Sequence, residues 1–130
     1  NTSGTQVGLL GDQATATWEG GTGTLQSLVS PANVKAAALA SGLGSSQTWQ
    51  DVKASRTGGV SYQNTTSSPI QVSVTSFGGQ YFEASSNNTT WVRVGQFSAS
   101  EVTSMTPIIP TNHYYRLTTN TGVLFWAELR

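Results

Sequence analysis

The chain has 130 residues, of which only 9% are charged, and its six basic and six acidic side chains cancel. That length fits one compact domain with a short extra segment. The weak, balanced charge excludes recruitment of nucleic acid or anionic lipid by bulk electrostatic attraction. The sequence contains no cysteine, which excludes disulfide bonds and cysteine-ligated metal sites. No apolar run approaches the roughly 18 residues of a membrane span, so we expect no membrane insertion.

Residues 1–46 are rich in Gly, Ala, Thr and Ser, and they contain one helix signal. Ser30 is a suitable N-cap, Pro31 suits the first helical position, "ANVKAAALA" follows, and Gly42 ends the pattern. We therefore predict a separate segment over 1–46, with a short helix near 31–41 that packs against another chain or the main domain. A mobile linker is the alternative. Because the first residue is Asn1, we expect the chain to be part of a longer one.

From Thr48 onward the apolar residues recur with a period of two, which is typical of β-strands. In "PIQVSVTSF" the aliphatic side chains alternate with polar ones, whereas "VLFWAELR" is apolar on both faces, as a central strand would be. Breakers such as "TGG" and "PIIP" separate the segments. The pattern predicts strands at about 48–53, 60–65, 69–77, 80–84, 90–97, 101–105, 112–119 and 122–130. We expect residues 47–130 to form an all-β, antiparallel β-sandwich, jelly-roll-like.

Catalytic and metal-binding patterns are weak in this sequence. His113 is the single histidine, there is no G-x-S-x-G or P-loop motif, and the six acids are scattered over different predicted elements. We predict no enzymatic activity, no cofactor and no metal. Two alternatives stay open: a pair of carboxylates meeting in space could cut glycosidic bonds, and His113 could bind a metal on the axis of a three-fold assembly.

The aromatic residues of the second part carry a stronger signal. Trp91 follows "SSNNTT" and alternates with Val92, while the neighbours Tyr81 and Phe82 must point to opposite faces of a strand. Tyr, Trp, Asn and Ser together form the polar, stackable surfaces that bind sugars and proteins. Core packing or subunit contact is the alternative for Tyr81 and Trp91.

Three groups of motifs resemble the C-terminal domains of bacteriophage tail fibres. They are "TWQDV.ASR..GV.YQNTTS.PIQVSV", the ending "NHYYRL…GVLFWAELR", and the upstream "WEGGTGTLQSLVSPANVKAAALA", which is similar to their stalk-proximal segments. Together they cover most of the chain, in the family's order. One departure is "SSP" at 67–69, where relatives carry a short charged turn.

This resemblance implies a homotrimer in the virion, whose β-sandwich tip binds the bacterial surface without enzymatic activity. The receptor would be a glycan such as lipopolysaccharide, or an outer-membrane protein. The alternatives are a polysaccharide depolymerase module and a purely structural trimerisation domain. The resemblance assigns no binding residues, because tip loops vary with the receptor. From the sequence we predict contacts from loops 55–60, 76–80, 85–90 and 106–112, with these candidate residues: Tyr81, Asn87, Asn88, Trp91, Arg56 and Arg93.

Overall fold

The computed structural model of the protein describes residues 31–40 and 42–130. The chain divides into two units, Asn1–Ser45 and Ser46–Arg130, which we describe separately. The first contains helix α1 (Pro31–Ala40), as the run of alanines predicts. The predicted cap, Ser30, lies outside the described residues. Val34 and Leu39 are exposed on this helix.

The second unit consists of β-strands and one turn of 3-10 helix (Lys53–Ser55). The strands are β1 (Trp49–Asp51), β2 (Tyr62–Gln63), β3 (Ile70–Ser76), β4 (Tyr81–Ser85), β5 (Val92–Gln96), β6 (Thr103–Met105), β7 (Ile108–Ile109), β8 (Tyr114–Leu117) and β9 (Val123–Leu129). None of the helices in the described ranges is long and apolar enough to cross a membrane.

The strands form two antiparallel sheets. In the first sheet the order is β1-β9-β3-β6, and β7 pairs with the other end of β3 on the same side. In the second sheet the order is β2-β8-β4-β5. The prediction of a mostly antiparallel β protein with one short helix is confirmed for the described residues. The apolar segment at the C-terminus is indeed a central strand, since β9 lies between β1 and β3.

Each of the eight predicted strands is present, although most are shorter at their ends than the pattern suggested. The sequence prediction was wrong for "PIIP", which was expected to be a breaker and instead contains β7. The reason is local: a proline on each side does not prevent a two-residue ladder in which Ile109 pairs with Ile70. Ile109 is fully buried there, so core packing outweighs the turn tendency of the flanking prolines.

Side chains from the inner faces of both sheets form one hydrophobic core. On β3 every second residue is buried, as strand alternation requires. Val72 and Val74 of β3 and Trp126 of β9 belong to the same buried cluster as Phe82 and Tyr115 of the second sheet. Removal of these large apolar surfaces from water is the main force that joins the two sheets.

The loop before β3 depends on one buried amide. Asn64 Nδ2 donates to the carbonyl oxygens of Ser68 (3.0 Å) and Ile109 (3.1 Å), while its Oδ1 accepts from the backbone and hydroxyl of Thr66. All of its main hydrogen-bonding capacity is thus used inside the protein, which explains why a buried asparagine is tolerated. The departure "SSP" lies in this loop, with Ser68 buried.

Candidate binding site

A group of charged and aromatic side chains lies on the outer face of the second sheet. Strand alternation turns Phe82 of β4 and Leu117 of β8 into the core, so their sequence neighbours Glu83 and Arg116 point outward. Register then brings side chains from three strands together, because Glu83 lies opposite Arg116 on one side and Arg93 on the other. We call this group the arginine–aromatic face; its members are Tyr81, Glu83, Trp91, Arg93 and Arg116.

Glu83 is at the centre of the face and is held mainly by Arg116. Its Oε2 accepts a hydrogen bond from Arg116 Nε (2.9 Å) and forms an ion pair with Arg116 Nη2, 2.8 Å away. The guanidinium of Arg116 in turn lies 3.9 Å from the centre of the Trp91 ring. The Glu83 side chain is only 10% exposed, since the arginines cover it. This half of the face is therefore a closed, charge-neutral pair capped by an aromatic ring.

Arg93 completes the other half of the face and is much more open. Its guanidinium lies 3.9 Å from the centre of the Tyr81 ring, and its Nε is 3.8 Å from Glu83 Oε1, too far for a hydrogen bond. The Arg93 side chain is 63% exposed. Among the described residues no hydrogen bond engages its guanidinium, so its N–H groups are free to bind a ligand. The ring restricts the position of the guanidinium and thereby lowers the entropy lost on binding.

The balance of charge on the face is positive. Two arginines surround one glutamate, and the closer arginine neutralises that carboxylate. The remaining positive charge belongs to Arg93. In a chain of zero net charge, this local surplus favours a group with anionic oxygens, which the planar guanidinium can bind in a bidentate manner.

The loop that connects β4 to β5 is built by its own asparagines. Asn87 Oδ1 accepts hydrogen bonds from the backbone N–H groups of Thr89 (3.0 Å) and Thr90 (2.9 Å). Asn88 has a φ of 60°, a conformation that asparagine tolerates better than most residues. Its Oδ1 accepts from the Ser61 hydroxyl (2.6 Å), which joins this loop to the segment before β2. Both predicted asparagines thus shape the loop that leads into Trp91.

A second charged cluster lies inside the protein, around Glu128. Its carboxylate accepts from Arg56 Nε and Nη2 (each 2.8 Å), from Arg130 (2.8 Å) and from the Tyr115 hydroxyl (2.6 Å). The side chain of Glu128 is fully buried. Burial by itself would raise the pKa of Glu128, but the hydrogen bonds from Arg56 and Tyr115 outweigh it and lower that pKa. Burial and the bond to Glu128 raise the pKa of Tyr115.

The structure brings together three of the six predicted site residues and separates another. Tyr81, Trp91 and Arg93 share the arginine–aromatic face, and Asn87 and Asn88 lie in the adjoining loop. Arg56 is engaged in the buried cluster of Glu128, and its guanidinium also lies 4.5 Å from the centre of the Tyr62 ring.

Sequence reasoning missed Glu83 and Arg116 as members of the site. Alternation in "YFEAS" and "HYYRL" was a usable signal, since it turns both residues away from the core. What the alternation could not give was the pairing of β4 with β8, which makes them neighbours.

Histidine and metal chemistry have little geometric support in this region. His113 lines a shallow groove with Val92 and Val94, and its Nδ1 lies 3.1 Å from the Thr111 carbonyl oxygen. Within residues 31–40 and 42–130, no group of three or more potential ligands is positioned to hold a metal ion.

Comparison of the chain with protein-family models, with curated proteins and with solved structures finds no match.

Proposed function

We propose that the protein is the receptor-binding tip of a bacteriophage tail fibre, which acts outside the bacterial cell and attaches the virion to a surface glycan or outer-membrane protein. The observation that carries the proposal is the arginine–aromatic face. It combines two half-exposed aromatic rings, Tyr81 and Trp91, with an exposed guanidinium on a rigid sheet. Side chains of these types, held in fixed positions, are suited to binding sugars and polar protein surfaces.

The position of the face supports a binding role over a packing role. Four of its five side chains stand on paired strands, and ion pairs and ring contacts restrict their positions. A pre-organised surface of this kind loses little side-chain entropy when a ligand binds. Arg56 is not part of the proposal, because Glu128 holds its guanidinium.

We further propose that the second unit is a jelly-roll-like β-sandwich that assembles as a homotrimer. The outer face of the first sheet supports this assembly, since it carries large apolar side chains that a monomer leaves in water. Trp49 is 53% exposed, Ile108 55% and Phe125 68%, and register places them on the same face as Leu129. Exposed apolar patches of this kind mark subunit contacts.

The two outer faces would then have different roles. The apolar face of Trp49, Ile108, Phe125 and Leu129 would be buried between subunits, and the arginine–aromatic face would stay accessible. Three copies of a weak site on one tip, and several tips on one particle, raise avidity by about 10²–10⁴ when the geometry allows simultaneous contact.

The proposal is tested by binding of the labelled chain to intact cells from a panel of Gram-negative strains, measured by flow cytometry. We expect saturable binding to a subset of strains and loss of binding in the double variant Tyr81→Ala/Trp91→Ala. The matched control is Tyr81→Phe/Trp91→Phe, which keeps an aromatic ring at both positions and should retain most of the binding. Circular dichroism of each variant checks that the fold is intact.

Two other outcomes correspond to the alternative functions. Release of shortened oligosaccharides from purified surface polysaccharide would identify a depolymerase module. Absence of cell binding by a chain that is folded and trimeric would leave structural trimerisation as its role.

Assembly is tested separately by light scattering coupled to size-exclusion chromatography. We expect a mass three times that of the chain, and a smaller species for Phe125→Ser, because serine removes apolar surface from the proposed interface. Thr75→Ser, at the register partner of Phe125, is the control and should remain trimeric. A stable monomer of the unmodified chain would contradict the assembly.

A further inference from the structure

We infer that the arginine–aromatic face binds an acidic saccharide, whose phosphate or carboxylate oxygens take the free N–H groups of Arg93. This inference deepens the receptor-binding proposal, on which it rests, by specifying the chemistry of the ligand. It depends on three observations: the surplus positive charge of the face, one guanidinium that donates no hydrogen bond to any described residue, and the aromatic rings that flank it.

Arg93 differs from the other arginines of the second unit because its guanidinium donates no hydrogen bond to a carboxylate of that unit. Arg56 and Arg130 donate to Glu128, and Arg116 donates to Glu83. Arg93 reaches Glu83 only at 3.8 Å, beyond hydrogen-bond range, and its side chain is 63% exposed. A guanidinium that an aromatic ring holds in place, and whose N–H groups do not bond to a carboxylate, can bind an anionic ligand.

The nearby carboxylate of Glu83 does not prevent an anion from binding. Two nitrogen atoms of Arg116 lie within 2.9 Å of Glu83 Oε2, so that charge is already compensated. Glu83 is also largely covered, whereas Arg93 projects into solvent. An incoming anion therefore meets the positive group first and the neutralised pair behind it.

The aromatic side chains favour a sugar over a free inorganic ion. Tyr81 lies under the Arg93 guanidinium, and Trp91 covers the Arg116 guanidinium on the same face. Their remaining exposed surface offers contact area for the C–H groups of a saccharide ring, next to the point where the anion binds. A phosphate-bearing sugar and a uronic acid share this chemistry, so the test must distinguish the two sources of negative charge.

The test is a titration of the isotopically labelled full chain followed by NMR, with glucose 6-phosphate, glucuronate, glucose and inorganic phosphate as probes. We expect the two acidic sugars to perturb the signals of β4, β5 and the Arg93 side chain. Each should bind at least tenfold more tightly than glucose. Inorganic phosphate should bind more weakly than glucose 6-phosphate, because it lacks the contact with the rings. Higher salt should weaken the binding of the acidic sugars and leave the binding of glucose unchanged.

Variants assign the effect to the site. Arg93→Gln should remove the advantage of the acidic sugars, and Arg93→Lys should restore only part of it, since lysine keeps the charge but loses the planar fork. The matched control is Lys53→Gln, which removes one positive charge at an exposed position of the 3-10 helix. It should bind like the unmodified chain, whereas an equal loss in both variants would reduce the effect to net charge and overturn the assignment.

The remaining outcomes separate this inference from the receptor-binding proposal. Equal affinity for glucose and glucuronate, together with cell binding that needs Tyr81 and Trp91, would overturn the inference of an acidic ligand and leave the receptor-binding proposal standing. Selective binding of acidic sugars without capture of any cells overturns the receptor function alone. Phosphate bound as tightly as glucose 6-phosphate overturns the saccharide and leaves a simple anion site.

Discussion

The protein contains two clusters of the same composition in different surroundings. Each has one glutamate, two arginines and nearby aromatic rings: Glu128 with Arg56 and Arg130 inside, and Glu83 with Arg93 and Arg116 on the outer face of the second sheet. Glu128 is fully buried and accepts four hydrogen bonds, whereas Glu83 has one firm partner and one distant one.

The difference shows that residue type alone does not separate framework from binding surface. What separates them is burial, and whether the N–H groups of each arginine already donate hydrogen bonds within the protein. A buried carboxylate must be compensated, so the arginines around Glu128 direct donors inward to it, and Arg56 uses two of its nitrogen atoms there. An exposed cluster can leave a guanidinium open, because water solvates it until a ligand arrives. Arg56 and Arg93 looked equivalent in the sequence, and only Arg93 keeps an open guanidinium.

The largest expected effect is that of Glu128→Gln. This change removes the charge that compensates two arginines and should lower the free energy of unfolding by about 3 kcal/mol. Urea denaturation followed by tryptophan fluorescence measures it. Glu101→Gln alters an exposed acid and should stay within about 0.5 kcal/mol of the unmodified protein. Similar values for the two variants would remove the contrast between a buried and an exposed carboxylate.

Acidification should remove the same interaction. The pKa of Glu128 is lower in the folded protein than in the unfolded chain, so its stabilising contribution is present above the unfolded value. It should be lost as the pH falls through the folded value. We therefore expect the stability difference between the unmodified protein and Glu128→Gln to shrink on acidification, measured by urea denaturation from pH 7 to pH 3. A difference that does not vary with pH would contradict this assignment.

Tyr115→Phe should have the next largest effect. The change keeps the ring, which stacks on Phe82, but removes the hydroxyl that donates to Glu128 at 2.6 Å. Hydrogen bonds to charged groups contribute about 2 kcal/mol, and thermal and urea denaturation should give a loss of this size. Tyr114→Phe, on the same strand but only half-buried, serves as the comparison and should change little.

Glu83→Gln should destabilise the protein less than Glu128→Gln does, by about 1 kcal/mol. Its arginine partners reach solvent, so they can be rehydrated when the carboxylate is lost. The same denaturation experiments give the value. A loss as large as that of Glu128→Gln would mean that the arginine–aromatic face is part of the framework.

Arg93→Gln should have the smallest effect on stability, within about 0.5 kcal/mol, because the side chain is exposed and forms no close ion pair. Its binding of glucuronate should nevertheless fall at least tenfold. The two measurements together distinguish the binding face from the framework, since substitution of a framework residue would lower both the stability of the protein and its binding.

The motifs that suggested a tail-fibre tip lie mostly in the framework. Arg56 of "ASR" pairs with Glu128 of "W-x-E-L-R", and Tyr115 of "YY" donates to the same carboxylate. Trp126 packs in the core beside them. These segments are far apart in sequence, and their contacts give one physical reason for their residue types. The proposed binding face lies largely outside them, in "YFEASSNNTTWVR".

Sequence alone determined the local features: the period-two alternation, the helix at Pro31–Ala40, the central position of β9 and the turn-forming asparagines before Trp91. Each depends on residues close together in the chain, where propensity and patterning act. Tertiary structure decided which charged residues meet. Arg116 and Glu83 are 33 positions apart, and Arg56 and Glu128 are 72 apart. Strand order and register fix these contacts. Both are set by packing of the whole core, so no single segment of the sequence contains the information that determines them.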